Sequence, residues 1–365
     1  MTTLLSTPTS MLIQSPATLP LGMLAASMAA GTWAELTTTG INNALLSGTN
    51  AGGVGGNNIP YTNQMVWNPI TREIKLTCSD HGAAYMPELT YSEGGNTWSV
   101  AAAGGAWPFG THAYGHMQCR PDTGDLYSRY NGGGVQAEPA YRKLAGGAWS
   151  TFTASQQTYT QIGVGSAWWP GSSTGRTALS GMGAAGCYII FEISLGSAMA
   201  FDPIANTWTA LSVPQTMPTT DPYHTVAAYS AQYNCVVYGG GNGNRRLWRL
   251  NPDRSVTELA SCPVSIGVQG ANLQVDPVTG KFLIWGGGGN ARKFYQLDPS
   301  GTGTYTLLSG SRQPPAAGQH GVSDPSGGNG GPDALVSCSL PAHGVIAYMS
   351  ASGASYANMF LYKHA

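Results

Sequence analysis

DPYHTVAAYSAQYNCVVYGGGNGNRRLWRLNPDRSVTEL, residues 221–259, holds four short β-prone runs. Thr225 to Tyr229 is the first, and Ser230 to Asn234 turns the chain. Cys235 to Tyr238 is β-branched and aromatic and stops at Gly239, Gly240 and Gly241. Arg246 to Leu250 alternates between two faces. Asn251-Pro252-Asp253 is a turn, and Ser255 to Leu259 is the fourth run. Four strands joined by turns at this spacing make one antiparallel meander. Such a sheet cannot bury both faces alone, so it implies copies of itself.

The copies are present. In VQGANLQVDPVTGKFLIWGGGGNARKFYQLDPSGTGTYTLL, residues 268–308, Trp285 and its four glycines match Tyr238 and its three. Gln296-Leu297-Asp298-Pro299 matches Arg249-Leu250-Asn251-Pro252. Tyr114 to Phe152 repeats the same order. A strand ending in a glycine run, an apolar residue before Asp/Asn-Pro, and a following strand with Trp resemble the kelch repeat. The resemblance covers roughly Thr32 to the end, and it implies a β-propeller while implying little about function.

Only 9% of the 365 residues are charged, against about 25% in ordinary soluble domains. The 51 Gly and 23 Pro fit an all-β chain of many turns. Unit counting predicts six blades, starting near Tyr61, His112, Gln161, Tyr223, Val268 and Gln319. Extra length lies between Pro170 and Gly186. The formal net charge of −1 gives no basic field for nucleic acid or anionic lipid. The one dense basic cluster divides along its strand, Arg245 and Arg249 on one face and Arg246 on the other. None of the six cysteines forms a CxxC pair, so buried free thiols are expected, with disulfides between neighbouring blades as the alternative.

Residues 1–31 carry no Lys, Arg, Asp, Glu or His. They lack a basic n-region, and Pro16 and Pro20 interrupt the apolar stretch, so no secretory signal is expected. Leu19 to Ala30 is too short to span a bilayer. An uncharged arm with this many Leu and Met is expected to reach away and dock on another subunit, with a plug or brace on its own propeller as the rival reading. Trp33 to Thr37 looks like a last strand without its blade, and Met359 to Lys363 like a third strand without its fourth. Their pairing would close the ring and hide two edges. The sequence therefore predicts an all-β, six-bladed propeller of four-stranded antiparallel blades over residues 32–365. An N-terminal strand closes it, and an arm precedes it.

Turns between first and second strands are tight, as in Asn68-Pro69-Ile70-Thr71, Asp122-Thr123-Gly124 and Asp276 to Gly280. Longer connections gather at the other end, which is expected to carry the function. There, near the starts of first strands, His112, His116, His224 and His320 with Tyr61, Tyr114 and Tyr223 form the candidate binding set. They resemble the Tyr/His copper site of galactose oxidase only loosely, since no Cys stands where that site's crosslink to Tyr needs one. No metal or other cofactor is expected. Tyr91 to Trp98 resembles the Asp-box of sialidase-like propellers, with Glu93 in the acidic position, and that box is a folding device. The glycine runs lack the helix and Lys-Ser/Thr of a phosphate loop.

These readings point to a non-catalytic structural or binding propeller of an extracellular assembly, most simply the virion of a bacterial virus. Residues 1–31 would attach it, and the loop face would meet a neighbour, receptor or glycan. The alternative is a secreted carbohydrate-binding protein or carbohydrate-active enzyme, glycosidase or oxidase. Stacking would then come from Trp107, Phe109, Trp168 or Trp169. Paired carboxylates would come from Asp80, Glu88, Glu138, Glu192, Asp221 or Asp324.

Overall fold

A computed structural model describes residues 18–40, 64–77, 88–100, 117–129, 140–152, 165–192, 197–212, 225–241, 243–266, 272–286, 293–312, 335–352 and 356–365. They form six four-stranded antiparallel sheets. Blade one is Val66–Asn68, Glu73–Thr77, Glu88–Ser92 and Thr97–Val100. Blade two is Gln118–Cys119, Leu126–Arg129, Ala140–Lys143 and Trp149–Phe152. Blade three is Ser166–Pro170, Gly186–Glu192, Ser197–Asp202 and Thr207–Ser212. Blade four is Val226–Ser230, Cys235–Gly239, Leu247–Leu250 and Val256–Glu258. Blade five is Asn272–Val275, Phe282–Gly286, Lys293–Asp298 and Thr304–Leu307. Blade six takes Leu335–Leu340, Val345–Ser352 and Tyr356–Lys363 from the C-terminal end and Thr32–Leu36 from the N-terminal end.

The closing pair runs in register from Thr32 opposite Lys363 to Leu36 opposite Met359. Trp33 sits opposite Tyr362, and its ring lies 4.6 Å from that of Tyr362 and 5.0 Å from that of Tyr348. The first strand of each blade touches the first strands of both neighbours, so these strands form the inner ring. The first-to-second and third-to-fourth turns share one end of the ring, the turn face. The strand ends opposite these turns form the other end, the loop face.

The core is divided among the boundaries between blades. Trp98, Leu76 and Tyr91 pack with Val336, Met349 and Leu361 between blades one and six. Val66 meets Met117 and Leu126, with Trp149 alongside, between one and two. Tyr127 meets Trp168 and Phe201, with Trp208 alongside, between two and three. Ile189 and Phe191 meet Val236 and Trp248 between three and four. Val237 and Ile266 meet Phe282 and Ile284 between four and five, and Trp285 and Phe294 meet Tyr348 and Phe360 between five and six. Trp33, Trp98, Trp149 and Trp208 thus stand on the last strands of their blades, each at the boundary with the preceding blade. Both faces of a sheet are covered by neighbours, which explains why its strands read as continuous apolar runs as well as alternating ones.

The glycine run of blade four has a steric cause. Gly239 has φ +135° and Gly240 φ +68°. A β-carbon on Gly239 would lie 2.9 Å from the Trp248 ring, and one on Gly240 would lie 2.4 Å from Ile266. The tight turns are as read, with Gly124 and Gly280 left-handed, while in blade one Arg72 takes that conformation at φ +56°. The extra length of blade three makes a short 3₁₀ turn, Ser172–Thr174, and sends Leu179 into the boundary with blade four. Cys119, Cys187, Cys235, Cys262 and Cys338 are free and buried, and Cys78 lies outside the described residues.

The expectation that the arm reaches away fails for residues 18–30. Pro20–Ser27 is a helix with Pro at its first position, where the missing N–H costs no bond. Leu19, Leu21, Ala25 and Met28 are buried, and Leu21, Ala25 and Met28 belong to the cluster between blades one and six. Lys363 Nζ donates to Ala25 O at 3.2 Å, and Gly31 N donates to Lys363 O at 2.7 Å. The boundary between these blades is open at the turn face, and the chain leaving Thr32 starts beside it. Burial at home therefore needs no partner. Residues 1–17 lie outside the described residues, and no helix among the described residues is long and apolar enough to cross a membrane.

Trp98 is 3% exposed, whereas Trp208 is only partly buried. Trp98→Ala is expected to cost about 3–5 kcal/mol, and Trp208→Ala clearly less. Urea unfolding of both variants checks the order; equal losses would contradict this packing.

Candidate functional site

The inner ring is tied by hydrogen bonds between blades. Asn68 Nδ2 donates to Gly124 O at 3.0 Å. Gln118 Nε2 donates to Ser166 O at 2.9 Å and lies 3.1 Å from Gln64 Oε1. Gly165 N donates to Thr225 Oγ1 at 2.7 Å, and Ser230 Oγ to Gly280 O at 2.7 Å. Gln274 Nε2 donates to Ser337 O at 3.1 Å, and Met65 N to the same oxygen at 2.9 Å. Inner strands are short, and their axis-facing edges have no further strand to pair with. Side-chain amides and hydroxyls satisfy them instead.

Where the inner strands of blades one, two, five and six run towards their first turns, they enclose an open pocket of about 330 Å³. Its polar wall is made by Gln64, Gln118, Gln274 and Ser339, and its apolar wall by Trp67 with Pro69, Pro121 and Pro341. The tethers above fix the glutamines, so the amides are preorganised. Among the described residues, the ionisable groups on the wall are two thiols, Cys119 and Cys338. Burial, with Asp125 and Asp122 adding to it, pushes Cys119 up to about 12. Burial raises Cys338 as well. Neither is a thiolate at neutral pH, so neither is a nucleophile there. The pocket can hydrogen-bond an uncharged polar molecule and offer it apolar contact, and among the described residues its wall supplies no carboxylate, imidazole or amine.

The sequence-predicted set, Tyr61, His112, Tyr114, His116, Tyr223, His224 and His320, lies outside the described residues. So do Trp107, Phe109, Asp80, Glu138, Asp221 and Asp324. Trp168 and Trp169 are buried in blade packing, so they are not surfaces for stacking. Glu192 lies on the second strand of blade three. Asp122 is gripped by Arg120, Nε to Oδ1 at 2.7 Å and Nη2 to Oδ2 at 2.8 Å. Among the described residues, no three His, Cys, Asp or Glu side chains gather to hold a metal.

The two most buried glutamates bind blades together. Glu88 is 1% exposed. Lys143 Nζ lies 2.9 Å from both its oxygens, Lys75 Nζ 3.3 Å away, and Trp149 Nε1 donates to it at 2.7 Å. Burial opposes the charge, but Lys143, Lys75 and Trp149 together outweigh it and hold the carboxyl below its ordinary range. Glu93, in the Asp-box position, meets Arg72 at 2.5 Å and His343 of blade six at 3.0 Å. The pocket escaped sequence reading because its wall is gathered from tight turns, and Glu88 and Glu93 were read as a candidate acid and an Asp-box residue, not as clamps between blades. One available signal was the Pro that follows the inner strand at 69, 121, 277 and 341.

No protein-family model matches the sequence, and no curated protein matches it. Solved structures do. An auxiliary nutrient binding protein from Bacteroides ovatus has TM-score 0.51 and 8% identity over 83% of this chain and 69% of that one. A lectin of Aleuria aurantia, in complex with alpha-methyl-L-fucoside, has TM-score 0.50 and 12% identity over 82% and 90%. A virginiamycin B lyase from Staphylococcus aureus has TM-score 0.48 and 13% identity over 84% and 97%. At these identities the likeness is one of fold alone.

Because the folded pKa of Glu88 lies below the ordinary 4.5, its contribution is fully present above that pH. It is lost as pH falls through the folded value. Glu88→Gln should therefore be less stable than wild type at pH 7, with the gap closing below about pH 4.5. A gap that stays constant in acid unfolding curves would show the clamp is not ionic.

Proposed function

We propose that this chain is a non-catalytic binding propeller whose pocket at the turn face takes a neutral, hydroxyl-rich ligand of carbohydrate type. The wall of the pocket carries this reading: tethered glutamine amides opposite a Trp and three prolines. The tethers use the amide N–H groups of Gln118 and Gln274, so what the glutamines offer a ligand is the remaining lone pairs of their amide oxygens, which accept from hydroxyls, while the prolines and the pocket-facing edge of the buried Trp67 suit an apolar contact with a sugar ring. The volume suits one or two sugar rings. Binding is favoured over turnover because the two thiols on the wall are held protonated. The buried glutamates are also already engaged, Glu88 by Lys143 and Lys75 and Glu93 by Arg72 and His343.

Two finer points belong to the same proposal. The repeat is inferred to be of the kelch kind, supported by the crowding over Gly239 and Gly240. Membership of an extracellular assembly such as a virion rests on composition, 9% charged residues. Residues 18–30 take no part in it, since they pack on their own propeller.

Ala342 lies exposed at the mouth of the pocket, so Ala342→Trp should narrow it without disturbing a blade. Binding of neutral mono- and disaccharides, followed by saturation-transfer NMR and calorimetry, is expected for wild type and about tenfold weaker in the variant. No binding by folded wild type, or binding indifferent to Ala342→Trp, would sink the proposal.

A further inference from the structure

Pro341 and Ala342 line the pocket on its blade-six side, and both belong to the short 3₁₀ turn Pro341–His343. Neither side chain can form a hydrogen bond, and no side chain caps the start of the turn. His343 is therefore the residue of the turn whose side chain can fix it by a polar contact. That side chain is only 4% exposed and lies against blade one. Its Nε2 stands 3.0 Å from Glu93 Oε1. Glu93 is buried and meets Arg72 Nη2 at 2.5 Å. A carboxylate only accepts, so Nε2 carries its hydrogen towards Glu93. The imidazole also lies edge-on to Trp67, with ring centroids 6.2 Å apart, and Trp67 is itself part of the pocket wall. One side chain thus connects the two walls, Pro341–Ala342 from blade six and Trp67 from blade one.

The flanks of the turn are held differently. Leu340 and Val345 are buried in the cluster that takes in Leu21, Ala25 and Met28 of the N-terminal helix, and the helix touches the turn. Apolar contacts of this kind are non-directional. They keep the ends of the turn in place without setting how Pro341 and Ala342 face Trp67. We infer, on the reading of this pocket as a saccharide site, that His343 is its positioning residue, setting the spacing of the two walls through Glu93. A wall held loosely spoils the fit of a ligand even when every contacting residue is present.

His343→Gln and His343→Asn separate this role from loss of the ring. Both put an amide in its place. The Gln amide nitrogen extends to the position of Nε2, whereas that of Asn stops short of Glu93. In hydrogen–deuterium exchange of the ligand-free protein, the amides of residues 342–344 should exchange severalfold faster in the Asn variant than in the Gln variant. Those of Cys235–Gly239 in blade four should stay equal. The panel of neutral mono- and disaccharides should bind the Gln variant much as it binds wild type and the Asn variant severalfold more weakly. Equal exchange in the two variants would overturn the inference. So would faster exchange in the Asn variant with saccharide affinity unchanged. Failure of either variant to fold would make His343 a residue of the fold and not of the pocket, and would overturn it too. If folded wild type binds no saccharide, the ligand reading fails, and the exchange comparison still decides whether His343 sets the wall.

Discussion

Everything in this molecule depends on the pairing of Thr32–Leu36 with Met359–Lys363. A four-stranded blade has two apolar faces and no means of covering either. Each is covered only by the next blade, so the arrangement is satisfied when the last blade meets the first. Five residues from one end of the chain complete the sheet begun by the other end. That pairing removes the two edges an open ring would show. It also brings Trp33 against Phe294, Tyr348 and Tyr362, so the boundary between blades five and six gains part of its packing from the N-terminal strand.

This closure was legible because its parts are local. Trp33 in GTWAELT repeats the pattern of Trp98, Trp149 and Trp208, and an unmatched strand at each end admits one simple solution. Turn chemistry was equally readable at Gly124 and Gly280, where a left-handed residue must follow the tight turn. Arg72 shows the limit, since it takes the same conformation without a glycine to announce it. The docking of Pro20–Ser27 was not legible. Its apolar residues indicate that it must bury them, but the choice between its own blade boundary and another molecule depends on a gap that only the assembled ring creates.

The pocket was hidden for a related reason. Tight turns leave no spare residues, so each looks inert alone. The pocket at that end comes from convergence, with Gln64, Gln118 and Gln274 brought together by three blades that are distant in sequence. Gln118 and Gln274 occupy matching places, two residues before Arg120 and Asp276, whose backbones open the same tight turn. Period alone therefore marks them as equivalent. That both turn their amides to the neighbouring blade's carbonyl, and not to solvent, follows from the unpaired inner edge.

Charge is scarce in this chain, and its two buried ion-paired glutamates flank blade one. Glu88 faces Lys143 across the boundary with blade two, and Glu93 faces His343 across the boundary with blade six. Among the described residues, the boundary of blades one and two has the smallest apolar cluster, and the inner strand of blade two is only Gln118–Cys119. Apolar burial there is least able to fix how the two sheets sit. A buried ion pair is a poor source of net stability, because desolvation offsets much of the attraction. It is directional, however, and misplacing it is costly. Lys143 and Trp149 of blade two, converging on one carboxylate of blade one, therefore set the orientation of two sheets that thin packing would leave loosely specified.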